Sequence, residues 1–255
     1  MGKLGVSLCI LAHNRIAETA NLIGSLKGFS GIELEICIAD QESDQKSRVF
    51  AEQTADKFTE ISDHDLWHKG FGYAKQQVVK LATNNWVIVG DPGEVWHDTT
   101  ANGSCRKLAQ AIRMHNSVPA FRTYYGRPKC VHQILDDKGS VRSLTGDLGR
   151  IFDKRKMAIR GYIHEAPVHK ETGKLWAEWA RRHKGVGVIE HDPRPVDPVY
   201  AKRKQLLYDH LLHTIVKDPK KRHGTDFRWW TAHWQTVVEP RFKNISFEEW
   251  KEIGG

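Results

Sequence analysis

Short apolar runs alternate with stretches of helical periodicity along the first half of this sequence. Runs of strand length occupy positions 5–12, 33–39, 58–61 and 86–89, and apolar residues recur at helical spacing in segments 16–26, 47–57 and 72–82. Strands separated by helix-length segments are typical of βαβ units, whose strands form a parallel sheet. We therefore predict an α/β fold for this half of the chain.

The second half has a less regular pattern. It predicts a helix over 105–115 and short strands over 120–125, 130–135, 141–144 and 186–190. The proline-rich stretch at 191–198 is typical of a linker or a rigid turn. After it, helices are predicted over 200–216 and 226–238, with a last helical turn at 247–252.

Polar residues follow three of the predicted strands. His13, Asn14 and Arg15 come after the first strand, Asp40 ends the second, and Asp91 follows the strand at 86–89. The carboxyl ends of parallel strands share one edge of a sheet, where α/β proteins bind ligands, so we expect these side chains to converge. Carboxylates there suit a divalent cation, and the cation suits a diphosphate. Each Asp alone is better explained as a cap of the following helix or turn, but three strand ends together favour a ligand site.

Charge is distributed unevenly along the 255 residues, whose formal net charge is +8. Residues 1–149 contain 17 Lys and Arg against 17 Asp and Glu, whereas residues 150–255 contain 22 against 14. Six of the nine Trp lie from Trp176 onward. A basic excess either serves solubility or recognises an acidic partner, such as phosphates, nucleic acid or a membrane surface. The composition leaves both explanations open.

Several classes of protein are disfavoured because their sequence patterns are missing. The four Cys form no CxxC pair, which argues against a zinc ribbon and gives no support to a disulfide framework. There is no GxxxxGK[ST] loop, no complete dinucleotide-binding fingerprint and no GxSxG elbow. No apolar run approaches the roughly 20 residues that span a bilayer, and no convincing secretory signal is present. We therefore expect a cytoplasmic protein without a transmembrane segment.

Four segments, taken in their order and spacing, resemble the family 2 glycosyltransferases of the GT-A fold. They read VSLCILAHNR at 6–15, ICIADQESD at 36–44, GFGYAKQ at 70–76 and WVIVGDPGE at 86–94. The similarity continues more faintly at 150–152, 161–165, 188–191 and 202–219. The resemblance implies a mixed, mainly parallel sheet flanked by helices in a domain spanning 1–192, with a nucleotide-binding half at 1–100 and an acceptor half at 101–192. Residues 193–255 would form a basic, Trp-rich helical C-terminal extension.

The resemblance also implies a set of donor-binding residues. Asp40 would accept a hydrogen bond from the base of the nucleotide, and a carboxylate acceptor suits the N–H groups of uracil or guanine. Ala12, His13 and Arg15 would line the same pocket. Lys75 stands where the family often has Arg, and it would face the nucleotide or its phosphates.

The metal-binding motif of the family is only partly present. Asp91 matches the first Asp of the DxD motif, and Glu94 matches the acidic residue that follows the motif. Gly93 replaces the second Asp, which usually binds the metal directly. His191 resembles a later His that completes the metal shell in some members. We therefore expect weakened use of Mn²⁺ or Mg²⁺ at Asp91, Glu94 and His191, and the alternative is that basic side chains neutralise the diphosphate.

The implied catalytic residues are Glu165 and Asp91. Glu165, in the segment GYIHE, would act as the base that deprotonates the acceptor hydroxyl while the anomeric carbon is attacked. The competing explanation for Glu165 is an ion pair with Arg150 or Arg160.

Taken together, the sequence favours a glycosyltransferase that moves a sugar from a nucleotide-diphosphate sugar to a hydroxyl group with inversion, and a UDP-sugar is the favoured donor. The basic excess of residues 150–255 suggests an anionic acceptor. One option is a cell-envelope glycan or lipid-linked saccharide at a membrane surface, and the other is a hydroxymethylated pyrimidine in DNA. The alternative is a catalytically degenerate GT-A fold that binds a nucleotide or nucleic acid without turnover. A nucleotidyltransferase of related topology is disfavoured, because it should carry a Gly-rich loop where this chain has His13, Asn14 and Arg15.

Overall fold

The computed structural model describes residues 2–98, 107–114, 117, 119–125, 133–135, 141–143, 147–163, 165–176, 188–191, 197–218 and 234–253. Within these residues, eight strands form one sheet in the order β3-β2-β1-β4-β9-β6-β12-β5, and two further strand pairs, β10-β11 and β7-β8, lie outside it. The strands are β1 (Leu4–Ala12), β2 (Ile32–Gln41), β3 (Lys57–Ile61), β4 (Trp86–Gly90), β5 (Glu94–His97), β6 (Ala120–Tyr125), β7 (Gln133–Leu135), β8 (Val141–Ser143), β9 (Asp147–Asp153), β10 (Met157–Arg160), β11 (Ala166–His169) and β12 (Val188–His191).

The first four strands of the sheet are parallel, and this fixes where the polar strand ends lie. β1 pairs with β2 so that Ala12 lies opposite Asp40, and β1 pairs with β4 so that Ile10 lies opposite Gly90. The carboxyl ends of β1, β2 and β4 therefore meet at one edge. Beyond β4 the pairing turns antiparallel at β9 and β6, which confirms the predicted α/β class with a mixed, mainly parallel sheet flanked by helices.

Helices connect and cover the parallel strands, and most of them begin at a side-chain cap. Asp44 accepts a hydrogen bond from the Ser47 backbone N–H at the start of the second helix, and Ser62 does the same for the Asp65 N–H at the start of the third. Such caps satisfy N–H groups that have no partner within the helix. The helices are α1 (Ile16–Lys27), α2 (Gln45–Thr54), α3 (Asp63–Leu81), α4 (Leu108–Met114), α5 (Pro198–Lys217) and α6 (Phe247–Glu252).

The two faces of the sheet bury separate apolar clusters. Alternate residues of the central strands point to opposite faces, so Leu8 and Ile10 join the cluster beneath α1 while Cys9 joins the cluster beneath α3. Because both faces are covered, β1 reads as a continuous apolar run rather than an alternating one. The second cluster also takes in side chains from the C-terminal part of the chain, namely Leu207, Leu211, Leu212, Trp234, Val238 and Trp250.

Several boundaries and elements differ from the sequence prediction. The helix predicted at 72–82 is longer, because α3 begins at Asp63 and continues across a non-helical break at Gly70. Strand β5 was not predicted, because its four residues are too few to show periodicity, and β9, β10 and β11 were also missed. The helix predicted at 226–238 is described only from Trp234, where it is a single π-helical turn followed by a 3-10 turn at Glu239–Arg241.

The C-terminal part of the chain packs on the outer side of α3. Arg203 of α5 forms a buried ion pair with Asp63, and its guanidinium lies over the Trp250 ring at 4.3 Å. The Trp250 indole N–H donates to the Arg203 carbonyl oxygen at 2.9 Å. These contacts anchor α5 to the start of α3. The division of the chain at 192 and 193 stays a prediction, and none of the described helices combines the length and apolarity needed to cross a membrane.

Candidate functional site

The loops after β1 and β2 are tied together at the carboxyl edge of the sheet. The Asn14 backbone N–H donates to Ser43 Oγ at 3.0 Å, and the Asp44 N–H donates to Asn14 Oδ1 at 2.7 Å. Asn14 adopts a positive φ of 48°, a conformation that Asn tolerates better than most residues. His13 Nδ1 lies 2.6 Å from the Gln41 carbonyl oxygen, to which it donates. This cross-linking gives the edge a fixed shape.

Asp40 lies at the carboxyl end of β2, on this edge, and is only 2% exposed. Its Oδ2 accepts a hydrogen bond from the Ser43 backbone N–H at 3.1 Å. Its Oδ1 is buried, and no described residue donates a hydrogen bond to it. An unpaired buried carboxylate oxygen is costly, and binding a donor group of a ligand is one physical reason for a protein to keep it. The geometry therefore provides one strong acceptor for a donor from outside the chain.

Lys75 is brought to the site by a close approach between α3 and the segment before β11. The backbone N–H groups of Phe71 and Gly72 donate to the carbonyl oxygens of Tyr162 and Gly161 at 2.8 and 3.0 Å. A Cβ at Gly72 would lie 2.0 Å from the Gly161 oxygen, so only glycine fits there. One turn further along α3, the buried Lys75 ammonium reaches across to this segment.

The Lys75 ammonium joins two carboxylates that the sequence assigned to catalysis. It donates to Asp91 Oδ1 at 2.5 Å, and it also forms an ion pair with Glu165. Burial lowers the pKa of Lys75, but the charges of Asp91 and Glu165 outweigh this effect and raise it above its ordinary value. The competing ion pair expected for Glu165 is therefore real, but its partner is Lys75 rather than Arg150 or Arg160.

A second buried cation, Arg150 of β9, neutralises the turn between β4 and β5. It forms ion pairs with Asp91 and with Glu94, whose Oε1 lies 2.8 Å from Arg150 Nη2. Burial would raise the pKa of Asp91, but the charges of Arg150 and Lys75 hold it well below its usual range. For Glu94 burial prevails, so its pKa is raised although Arg150 opposes the shift. Glu94 also accepts from the Asp91 backbone N–H and the Trp96 indole, at 3.1 and 3.3 Å, which fixes the turn.

Gly93 occupies the tip of this turn in a conformation that favours glycine. Its φ is +97°, and a Cβ added there would lie 3.0 Å from Arg15 Nη2. A side chain at position 93 would therefore be strained in its backbone and would press against the Arg15 guanidinium. Arg15 itself immediately precedes α1, and its Nη2 lies 3.4 Å from Glu18 Oε1.

Helix α5 adds side chains to the site that the sequence prediction did not include. Asp197 caps the helix by accepting from the Val199 and Tyr200 N–H groups. Tyr200 stacks on the His13 ring, with 5.5 Å between ring centroids and 19° between planes. Lys204 and Tyr208 follow at four-residue intervals on the same face, and the Lys204 ammonium lies 5.6 Å from the Tyr208 ring centroid. The i, i+4, i+8 spacing after the proline-rich stretch was the signal that could have identified this face.

The charged groups at the end of β4 and around Lys75 act on the side chains of this face of α5. Burial lowers the pKa of Lys204, and the charges of Arg15 and Lys75 add to this shift while Asp91 opposes it. Burial raises the pKa of Tyr208, and Glu165 and Asp91 raise it further. The Lys204 and Tyr208 side chains therefore experience the charges of Asp91 and Glu165.

The residues predicted to bind a divalent metal lie near one another but are not arranged as free ligands. β12 pairs with β5 so that His191 lies opposite Glu94, although the His191 side chain is outside the described residues. Asp91 and Glu94 already accept hydrogen bonds from Arg150, and Asp91 accepts one from Lys75. In the described part of the chain, no three His, Cys, Asp or Glu side chains gather as a metal site. In this arrangement the described carboxylates do not fit a divalent cation, and a metal held by the three predicted ligands stays a prediction.

No protein-family model and no curated protein matches this chain. Several solved structures are similar to it. S. aureus TarS 1-349 in complex with UDP-GlcNAc is 12% identical, with a TM-score of 0.45 over 96% of this chain and 77% of that one. The mannosyltransferase PcManGT from Pyrobaculum calidifontis, in complex with GDP-Man and Mn²⁺, is 13% identical, with a TM-score of 0.43 over 93% and 71%.

A third similar structure is glucosyl-3-phosphoglycerate synthase from Mycobacterium tuberculosis in complex with Mn²⁺, UDP and glucosyl-3-phosphoglycerate. It is 16% identical, with a TM-score of 0.44 over 83% of this chain and 80% of that one. These identities and TM-scores are too low to transfer a function. The function proposed for this chain therefore has to stand on the geometry of its own residues.

Proposed function

We propose that this chain is a nucleotide-sugar-dependent glycosyltransferase that favours a UDP-sugar and inverts the anomeric carbon. The observation that carries the proposal is the buried Asp40 oxygen without a described donor, at the same sheet edge as the part-exposed Arg15 and the two largely buried cations Lys75 and Arg150, which carboxylates hold in place. A nucleoside diphosphate needs both features, because its base offers N–H donors and its phosphates need positive charge.

The spacing of the strands matches the two ends of such a ligand. Asp40 ends β2 and Asp91 follows β4, and these strands lie on either side of β1. Neighbouring strands are about 4.8 Å apart, so the base site and the phosphate site are separated by about 10 Å. Ala12 and His13 lie between them at the end of β1, where the ribose would cross. Tyr200, stacked on His13, closes this side of the pocket.

Asp40 also favours uracil over guanine in this pocket. Its Oδ2 is engaged by the Ser43 backbone N–H, which leaves Oδ1 as the acceptor without a described partner. Uracil offers a single imide N–H and is satisfied by one acceptor. Guanine offers its N1–H and its amino group side by side and is best matched by two free carboxylate oxygens.

In the proposed reaction, an acceptor hydroxyl attacks the anomeric carbon of the sugar, the bond from that carbon to the diphosphate breaks, and Glu165 takes the hydroxyl proton. The ion pair with Lys75 holds the Glu165 carboxylate in place beside the phosphate site. Lys75 and Arg150 stabilise the negative charge that develops on the leaving diphosphate, so that no structural change is needed as the bond breaks. Asp91 positions both cations for this role.

Glu165 can be tested by exchange for its neutral isostere. We expect Glu165→Gln to lower kcat by about 100-fold or more, because general-base catalysis typically contributes about 10²–10⁴-fold. UDP affinity should not fall, since the exchange leaves the base pocket untouched and removes a negative charge from beside the phosphate site. Glu171→Gln, at an exposed turn, is the matched control. Normal turnover by the Glu165 variant would rule out its role as base.

The second candidate function is a catalytically degenerate module that binds a nucleotide or nucleic acid. It is favoured by the contacts of Lys75, which ties up both proposed catalytic carboxylates, and by Gly93 in place of an Asp. Release of the nucleoside diphosphate, UDP from UDP-GlcNAc and UDP-glucose or GDP from GDP-mannose, separates the two candidates, because an active site hydrolyses its donor slowly even without acceptor. Binding of UDP without any release would favour the module.

The acceptor proposal is an anionic molecule, either DNA carrying a hydroxymethylated pyrimidine or a membrane-associated glycan. It rests on the net charge of +8, all of which lies in residues 150–255. Lys204, on the face of α5 that carries Tyr200 and Tyr208, contributes part of this charge near the site. A gel shift on duplex DNA at low salt tests the first option, and absence of binding would remove it. A cytoplasmic location likewise stays a prediction.

A further inference from the structure

The two carboxylates at the end of β4 already have their charges neutralised by the protein. Asp91 is paired with Lys75 and Arg150, and Glu94 is paired with Arg150. The Lys75 and Arg150 side chains are only 7% and 15% exposed. A divalent cation at these carboxylates would have to displace buried cations, and breaking a buried ion pair without replacing both partners is costly.

The position of the missing Asp is occupied by a glycine that a larger residue cannot easily replace. Gly93 has a φ of +97°, so an Asp there would be strained. The space into which its Cβ would project is bounded by Arg15 Nη2 at 3.0 Å. A guanidinium therefore lies where the resemblance would place a metal-binding carboxylate, and the sign of the charge at this point is reversed.

The Arg15 guanidinium is accessible and suited to phosphate. Its side chain is 26% exposed, so a ligand can reach it, and its contact with Glu18 is long at 3.4 Å. A guanidinium has five N–H donors and matches the geometry of phosphate oxygens. Arg15 also immediately precedes the twelve-residue α1, whose free backbone N–H groups add positive potential in the same place.

We infer that Arg15, with the buried cations Lys75 and Arg150 beside it, neutralises the donor diphosphate in place of a divalent metal, so that this chain binds its donor nucleotide without one. The inference rests on the proposed function. The positive charge that balances the diphosphate then comes from the protein itself, and the absence of a side chain at Gly93 leaves room for the Arg15 guanidinium. Asp91 and Glu94 then act by positioning cations instead of binding a metal ion.

The test compares UDP and uridine binding to the full chain, with excess EDTA and with Mn²⁺. Titration calorimetry measures UDP, and ligand-observed NMR measures the weaker uridine. We expect the UDP affinity in EDTA to equal that in Mn²⁺ within about twofold. Arg15→Ala should weaken UDP binding by about 10-fold to 100-fold, the loss of one or two charge-assisted hydrogen bonds, and should leave uridine binding unchanged. Arg15→Lys should recover part of the loss.

Arg48→Ala is the matched control, because Arg48 forms an exposed ion pair with Glu60 on the far side of β2 from β1. Thermal unfolding of each variant shows that it is folded. UDP binding that requires Mn²⁺, or that is equally tight in Arg15→Ala, would overturn the inference and leave the proposed function standing. Failure of both UDP and uridine to bind in every condition would instead contradict the proposed function.

Discussion

Asp40→Asn separates a ligand-binding role from a structural role at this position. The exchange keeps the size and shape of the side chain but replaces one oxygen with an NH₂ group. The remaining oxygen must serve the Ser43 backbone N–H, which currently donates to Oδ2 at 3.1 Å. The NH₂ group then faces the position where we propose the base N–H, and two donors face each other.

The magnitude follows from the bond that is lost. A hydrogen bond to a charged acceptor contributes about 1.5–3 kcal/mol, so the UDP dissociation constant should rise by about 10-fold to 100-fold. The effect on stability should have the opposite sign. Without ligand, Oδ1 is a buried oxygen with no described donor, so removing its charge should leave the free energy of unfolding unchanged or raise it by about 1 kcal/mol.

The assay is titration calorimetry with UDP together with urea unfolding of the same samples. Asp56→Asn is the matched control, because Asp56 accepts a hydrogen bond from the Ile36 N–H at 2.7 Å and precedes β3, away from the carboxyl edge. We expect the control to bind UDP normally. Wild-type UDP affinity in Asp40→Asn, combined with a loss of stability, would show that Asp40 is structural and would refute the reasoning.

Three further predictions concern stability. Burial opposes the shift, but the charges of Arg150 and Lys75 hold the pKa of Asp91 well below its usual range, so its stabilisation is complete above about pH 5 and is lost progressively as the pH falls. In urea unfolding, wild type and Asp91→Asn should therefore differ most above about pH 5, and the difference should narrow steadily as the pH is lowered. Gly93→Ala should lower the free energy of unfolding by about 1–3 kcal/mol, because the φ of +97° at this position is strained for any residue with a Cβ. Gly24→Ala, in α1 with nothing within 4 Å of the new Cβ, should raise it by about 0.5–1 kcal/mol. Equal changes of the two variants in urea unfolding would show that the backbone conformation at Gly93 is not the cause. Arg203→Met should cost about 3 kcal/mol by leaving Asp63 buried without its cation, and a loss under about 1 kcal/mol in urea unfolding would show that the pair is dispensable.

The strands and helices of the first half follow closely from the sequence because their patterns are local. Apolar runs predicted β1 and β4, and an alternation of charged and apolar residues predicted β2, each to within two residues at each end. Predicted strand ends also located the site edge, since parallel strands must bring their carboxyl ends together. The short antiparallel strand β5 escaped prediction because its four residues are held by pairing with β12, a contact between distant parts of the chain.

Helix α3 shows a different limit of sequence reasoning. The sequence predicts a helix that starts at Gly72, whereas α3 in fact begins at Asp63. The backbone leaves the helical conformation at Gly70, and the next two residues, Phe71 and Gly72, donate hydrogen bonds to the carbonyl oxygens of the segment at 161–162. These two hydrogen bonds join positions about ninety residues apart, which no local pattern can show.

The sequence by itself determined the α/β class, the edge at which Asp40 and Asp91 meet, and the loss of an acidic side chain at Gly93, because each is a local property of a strand and its end. Only the tertiary structure decided which ion-pair and hydrogen-bond partners Asp40 and Asp91 have. Folding brings Lys75 and Arg150 onto Asp91, and it leaves one Asp40 oxygen without a described donor. Hydrogen bonds and ion pairs depend on distances of a few ångströms between residues far apart in the chain, and those distances exist only once the chain has folded.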